Sequence, residues 1–292
     1  MIYRAEKTVD SALRWGAGQL EEVADQPYLE AERLLARVLE AKRIQLLTHP
    51  ERELPPSQLQ RYRDMVHRRA SGEPLPYVLE QAAFLNLTFV VSPDVLIPRP
   101  ETELLVERGL AWLRQSSVRD PVVVDVGTGS GCIAVSLAAA LPTLRVVAID
   151  ISTAALTVAR KNAQHHDVAA RVTNLQADLL TCLQCPIDLI LSNPPYVSET
   201  EWHALPGTVR REPAIALLAG PDGLTTIRRL LHQTRRRLAP GGCLLMEIGE
   251  RQGNAALALA RSAFAAPEFA GTTIQIYRDL AGRSRVLEVF RS

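Results

Sequence analysis

The run VVVDVGTGSGCIAVSLAAAL, Val122 to Leu141, has the pattern of a strand, a glycine turn and a helix in succession. It opens as a short, almost continuously apolar stretch, the kind found in parallel strands covered on both faces. Gly127, Gly129 and Gly131 follow at alternate positions, and a helical segment, CIAVSLAAAL, begins directly after them. Strand, glycine turn and helix in that order are the first half of a βαβ unit. Glycines there let the backbone turn tightly and come close to a ligand, and ligands of open α/β sheets sit at the carboxyl ends of strands. Glycine-rich turns also arise for structural reasons alone. A dinucleotide fingerprint is not met, because G-x-G-x-x-G requires glycine at position 132, which is Cys132.

Downstream of this run, strand and helix keep alternating. RVVAID is followed by the helical STAALTVARKNAQHH, then ARVTNLQAD, IDLILSN, a helix from about Gly223 to Leu238, an APGG turn and the strand CLLMEIG. Such alternation indicates an α/β sandwich with a mainly parallel sheet. The closing strands, TTIQIYRD and SRVLEVFR, lie near each other in sequence and are expected to pair as an antiparallel edge.

Upstream, the pattern is different. AERLLARVLE has apolar residues at helical spacing, and PPSQLQRYRDMVHRRASG opens on prolines and stops at Gly72, as a helix does. The predicted organisation is a helical domain over 1–82, a hairpin or linker over 83–98 and an α/β domain over 99–292.

Bulk properties narrow the class. The chain has 292 residues, 47% apolar and 22% charged, with a net charge of +1, so its overall field draws it to neither nucleic acid nor membrane. No apolar run is long enough to span a bilayer, and the start, MIYRAEKTVD, lacks a secretory pattern. Four cysteines are too few for a disulfide framework, which predicts a reducing cytoplasm. Cys182 and Cys185 form a lone C-x-x-C, a pattern that serves redox chemistry or half of a zinc site. With no second ligand pair and no histidine close in sequence, the thiols read as structural or incidental, and no metal is expected. Arginine runs at 210–211, 228–229 and 235–237 read as solvated helix faces, or as contacts to a protein or RNA partner; His165 and His166 read as surface residues.

Two acids and one turn carry chemistry. Asp150 ends the second strand, where a carboxylate meets ribose hydroxyls, and Asp178 follows the third, within reach of an adenine amino group. Both also suit a helix cap or loop acid. After the fourth strand comes SNPPYVSE, Ser192 to Glu199. An amide or adenine amino nitrogen is a poor nucleophile, because its lone pair is delocalised into the neighbouring π-system. Two acceptors on its N–H bonds favour a tetrahedral nitrogen with the lone pair aimed at an electrophile. Asn193 supplies a side-chain carbonyl and Pro194 a backbone carbonyl. Pro194 and Pro195 keep those acceptors stiff, and Tyr196 offers a flat face for stacking. The motif alone does not distinguish adenine from glutamine.

The glycine turn with an acid after each of the next two strands resembles the Rossmann-like, class I S-adenosylmethionine-dependent methyltransferases. That resemblance implies a mainly parallel sheet with an antiparallel edge strand and a small N-terminal helical domain. It implies Gly127, Thr128, Gly129, Ser130 and Gly131 against the methionine part, Asp150 on ribose and Asp178 on adenine. Leu179 stands where many relatives carry an aromatic residue, which leaves an apolar contact to the purine; Asn193 also touches the cofactor.

NPPY, read together with IPRPETE, VRREP and YRDLAGRSRVL, is similar to the protein-(glutamine-N5) methyltransferases, and among them to the branch acting on peptide chain release factors. The likeness runs over nearly the whole chain and is weakest in the first 30 residues. It implies methylation of the glutamine in the Gly-Gly-Gln motif of class-1 release factors, with S-adenosylhomocysteine as the other product. It also implies a substrate-gripping helical domain and no stable nucleic-acid partner. Arg99 and Glu101 then shape the substrate pocket, or form an exposed linker charge pair. The sister branch acting on ribosomal protein uL3 carries a serine after its PR, where this chain has Pro100. An adenine-N6 nucleic-acid methyltransferase, which shares NPPY, calls for a basic groove that the net charge does not suggest.

Overall fold

A computed structural model describes residues 7–292. The described part of Met1–Gln81, with Pro206–Arg211, forms one compact unit; Ala82–Leu205 and Glu212–Ser292 form the other.

The first unit is helical: α1 (Val9–Leu20), α2 (Pro27–Leu39), α3 (Arg43–Thr48), α4 (Pro56–Ala70) and α5 (Leu75–Leu79). Thr8 caps α1, and its side chain and that of Ser11 satisfy each other's backbone N–H groups. Leu13 and Leu20 of α1, Leu34 and Leu35 of α2 and Tyr62 of α4 form the dry centre. Gly16 lets α1 approach α4, since a Cβ there would lie 2.0 Å from the Tyr62 hydroxyl. Among the described residues of this unit the one buried arginine, Arg69, is neutralised by Glu30 at 2.7 Å and donates to the Val23 carbonyl at 2.7 Å. Arg211, from the segment 206–211, donates to the Ser71 carbonyl.

The second unit is a three-layer α/β sandwich. A two-stranded sheet, β1 (Gln81–Phe84) and β2 (Leu87–Val90), precedes α6 (Pro100–Gln115). Then come β3 (Val123–Val126), α7 (Cys132–Ala140), β4 (Val146–Asp150), α8 (Thr153–His165), β5 (Val172–Gln176), β6 (Ile187–Ser192) and α9 (Glu199–Ala204). The chain closes with α10 (Thr225–Arg237), β7 (Leu238–Glu247), α11 (Gly253–Ala263), β8 (Thr273–Arg278) and β9 (Ser284–Phe290). The strand order is β5-β4-β3-β6-β7-β9-β8. All pairs from β5 to β7 are parallel, and β9 is antiparallel to both its neighbours, as the sequence pattern predicts.

Alternation of side chains separates two cores. Val123, Leu189, Leu191 and Leu245 face α6 and α7, whereas Val124, Val126, Ile190 and Met246 face the side packed with α10 and α11 residues. Residues 83–98 contribute to the first of these cores, where Phe84 and Phe89 meet edge to face. The fully buried Asn162 of α8 accepts from Val90 N–H and donates to the carbonyls of Val90 and Ser130, tying β2 to the glycine turn.

The APGG segment is not a turn before a strand, as the sequence suggests, but part of β7. Leu238 pairs with Ile187 and Cys243 with Leu189, so the Pro-Gly-Gly between them bulges out of the ladder.

Candidate active site

The carboxyl ends of β3, β4 and β6 lie side by side, because β3 sits between the other two. The glycine turn after β3 is held from both directions. Gly127 and Thr128 donate their N–H groups to the Ile149 carbonyl of β4 at 2.8 and 2.9 Å. The Gly129 N–H reaches the Asp150 carboxylate at 2.9 Å. Thr128 donates its hydroxyl to Asp125 at 2.6 Å, and the Ala134 N–H reaches the same oxygen at 3.2 Å. Asp125 is wholly buried, and burial pushes its carboxyl up to about 7. Gly131 adopts φ of 81° to start α7, and a Cβ there would press on Ala159 at 3.1 Å.

A cavity of about 290 Å³ opens over these strand ends. Gly127, Thr128, Gly129, Ser130 and Asp150 line one part of it. Asp178, Leu179, Asn193, Pro195 and Arg99 line other parts of it. The structure thus gathers ten of the residues named from the sequence around a single space. Gly131, Pro194, Tyr196 and Glu101 lie outside its lining.

Asp150 is tied at both oxygens, to Gly129 N–H and to Ser152 N–H at 2.9 Å. Burial raises its carboxyl, against the lowering effect of those N–H groups. Each oxygen keeps a further lone pair for a hydroxyl donor. Beside it the Ile151 side chain is 49% exposed, an apolar face next to an acid at the mouth of the cavity. Asp178 pairs with Arg229 of α10 at 2.5 Å; both side chains remain exposed, so this arginine of the basic runs is solvated as expected and also borders the cavity. Leu179 holds a left-handed backbone, φ 54°.

At the end of β6, Asn193 donates from Nδ2 to the Thr102 hydroxyl at 2.9 Å. Thr102 in turn donates to Oε2 of Glu247, the last residue of β7, at 2.6 Å. Oδ1 of Asn193 and the carbonyl of Pro194 have no protein partner among the described residues. Both acceptors expected from the sequence are therefore unpaired within the protein; Asn193 lines the cavity, whereas Pro194 is buried just outside its lining. Tyr196 is partly buried: its ring packs against the core that holds α10 and α11 residues, and its hydroxyl donates to Oε1 of Glu247 at 3.3 Å. Burial, with the neighbouring Glu247 charge, raises its phenol above the ordinary value.

Arg99 and Glu101 do not pair with each other. Arg99 donates to Oε1 of the buried Glu212, whose Oε2 accepts the Ile97 N–H at 3.0 Å. Glu101 lies 3.9 Å from Arg285 on β9.

Residues 11–79 match the model described as the PrmC N-terminal domain, and residues 102–206 match the methyltransferase small domain. A release factor glutamine methyltransferase of Moorella thermoacetica is 43% identical, over 97% of this chain and 96% of its own length. One from Neisseria gonorrhoeae is 44% identical over 89% of this chain and 92% of its own. The chain belongs to the release factor glutamine methyltransferase family.

As a release factor glutamine methyltransferase it is an S-adenosylmethionine-dependent enzyme. Solved structures share its fold. The hMettl16 catalytic domain bound to a MAT2A 3'UTR hairpin superposes with a TM-score of 0.54 at 17% identity, covering 82% of this chain and 84% of that one. A 16S rRNA methyltransferase of T. thermophilus in complex with AdoMet and guanosine gives 0.51 at 20%, covering 73% and 50%. The residues present fit the family's methyl donor: a glycine turn open to close approach, acids at successive strand ends and an exposed apolar face between them. No helix among the described residues is long and apolar enough to cross a membrane.

Thr102, Glu212 and Glu247 do not stand out individually in the sequence of this release factor glutamine methyltransferase. Thr102 lies within the PRPETE already singled out, and Glu212 within VRREP. Glu247 had its own signal, a charged residue closing the apolar strand run LLME. Cys182 and Cys185 are exposed thiols.

Proposed function

We propose that this chain methylates the side-chain amide nitrogen, N5, of the glutamine in the Gly-Gly-Gln motif of class-1 release factors, in the cytoplasm. The observation that carries this reading is the pair of unpaired acceptors at the end of β6, Oδ1 of Asn193 and the Pro194 carbonyl, beside the cavity that Asn193 lines. A primary amide has two N–H bonds to give to such a pair.

When bound, S-adenosylmethionine supplies an activated methyl group on sulfur, open to in-line attack. Asn193 and Pro194 hold the glutamine nitrogen by its hydrogens and turn its lone pair out of conjugation. Pro195, next in the chain and at the cavity wall, keeps that geometry stiff before substrate arrives. Asp150 takes ribose hydroxyls, and Leu179 with Ile151 offers the apolar face for the purine. Arg99, fixed by Glu212, borders the space on the substrate side. Residues 1–82 serve to grip the release factor, with 99–292 as the methyltransferase domain.

The test is incubation of the chain with methyl-labelled S-adenosylmethionine and purified release factor, a Gly-Gly-Gln peptide or DNA. Label on the glutamine of the release factor is expected. Label on DNA, with none on release factor or peptide, overturns the reading.

A further inference from the structure

An amide side chain is nearly symmetric in shape but opposite in polarity at its two ends, so a site that needs the oxygen outward has to fix the orientation. Asn193 is anchored by two residues distant in sequence. Its Nδ2 meets the Thr102 oxygen at 2.9 Å, and the Thr102 oxygen meets Oε2 of Glu247 at 2.6 Å. A hydroxyl has one proton to give. With Glu247 ionised, that proton goes to the carboxylate, which only accepts. The Thr102 oxygen is then an acceptor towards Asn193, which must present Nδ2 to it and Oδ1 to the cavity.

If Glu247 carries a proton, the chain of bonds can run the other way. Glu247 donates to Thr102, Thr102 donates to Oδ1 of Asn193, and the Asn193 NH₂ faces the cavity. A substrate NH₂ would then meet a donor instead of an acceptor.

We infer that Thr102 and Glu247 are positioning residues, which together set the polarity of the Asn193 amide and so decide whether the cavity presents an acceptor to the substrate nitrogen. This rests on the methyl-transfer reading above. Glu247 is fully buried and off the cavity wall, and Thr102, at the wall but only 1% exposed, acts through Asn193.

The surroundings allow Glu247 to change state near neutrality. It is faced by Thr102 and Glu101 of α6, by the Tyr196 hydroxyl, by Arg285 of β9 and by the buried Cys132 thiol of α7. Burial is the dominant influence and pushes the carboxyl up to about 7, while Thr102, Tyr196 and Arg285 hold it down and Glu101 raises it. The orienting direction is therefore complete above this range and lost as pH falls through it.

The experiment compares wild type with Thr102→Val, which keeps the shape and removes the hydroxyl, and Thr102→Ser, which keeps the hydroxyl. Expected is a roughly tenfold lower kcat for Thr102→Val with unchanged affinity for S-adenosylmethionine, most of it restored in Thr102→Ser. Wild-type kcat should fall on the acid side of pH 7, and Thr102→Val should lose that limb. Asp125, also raised to about 7, stays intact in the variant and bonds only the glycine turn and the start of α7, so it cannot account for the loss. Wild-type kcat in Thr102→Val, or an unchanged acid limb, overturns the proposal. A second readout needs no turnover: the Asn193 side-chain NH₂ resonances should shift with pH around 7 in wild type and not in Thr102→Val. If wild type transfers no label but this shift is present, the methyl-transfer reading fails while the relay stands. If the shift is absent from wild type, the relay itself fails.

Discussion

Gln252 is bonded to Tyr196: its Nε2 donates to the tyrosine carbonyl at 2.9 Å. The same nitrogen donates to the Gly223 carbonyl at 3.1 Å, and its Oε1 accepts the Gly249 N–H at 3.0 Å. One side chain at the start of α11 thus staples the exit of the NPPY turn to two other loops. Gly223 has φ of 72°, and a Cβ there would lie 2.4 Å from the Tyr196 carbonyl oxygen. Gly223→Ala should lower the melting temperature by about 3 to 6 °C and depress kcat, because the turn has to shift. Thermal scans with parallel turnover measurements check this, and a variant with both properties at wild-type level refutes it.

Removing the outward acceptor should act on chemistry rather than on cofactor affinity. Asn193→Ala is expected to lose on the order of 10²-fold in kcat, as for a preorganised polar group at a reacting atom. Affinity for S-adenosylmethionine, measured by calorimetry, should change much less. Near-normal methylation by this variant would sink the mechanism.

Asp150 should show the opposite pattern. Its carboxylate holds Gly129 N–H and faces the cavity, so Asp150→Ala frees the glycine turn and removes the hydroxyl acceptor together. Affinity for S-adenosylmethionine should drop before kcat does at saturating cofactor. Unchanged affinity by calorimetry would count against the ribose role.

Glu247 links stability to pH. Its ordinary value of 4.5 is raised to about 7 in the folded chain. At pH well below 4.5 both folded and unfolded states carry the proton, and ionisation has no effect on folding. Between the two values only the folded state binds it, so stability is lost as pH rises, and the loss is complete above about 7. Glu247→Gln removes this dependence. The variant's melting temperature relative to wild type should therefore rise by about 2 to 5 °C from pH 5 to pH 8. A difference that stays flat across that range contradicts the buried ionisation.

What the sequence reveals is what lies close along the chain. Strand–helix alternation, the turn Gly127–Gly131, the acids at strand ends and NPPY after β6 each declare themselves within a few residues. Contacts across the fold do not. Thr102 meets Glu247 over a separation of 145 residues, and Arg99 meets Glu212 over 113. In a one-dimensional reading Thr102 is the first turn of a helix and Glu247 the end of a strand. Tyr196 shows the same limit, since its neighbours in sequence suggest a stacking face and the packing of β7 gives its hydroxyl to Glu247. The bulge at Pro240 to Gly242 was hidden because Pro-Gly-Gly has the composition of a turn, and only the pairing of Cys243 with Leu189 reveals the strand running past it.

The place of β3 between β4 and β6 also bears on inheritance. Adjacent parallel strands lie only about 5 Å apart, so the glycine turn proposed to hold the methyl donor and the turn after β6 proposed to hold the acceptor are neighbours in space. Yet each is written in its own segment of the gene. The glycine turn and Asp150 can be conserved by descent while the residues after β6 diverge. What is methylated and how the methyl group is delivered are thereby open to separate selection.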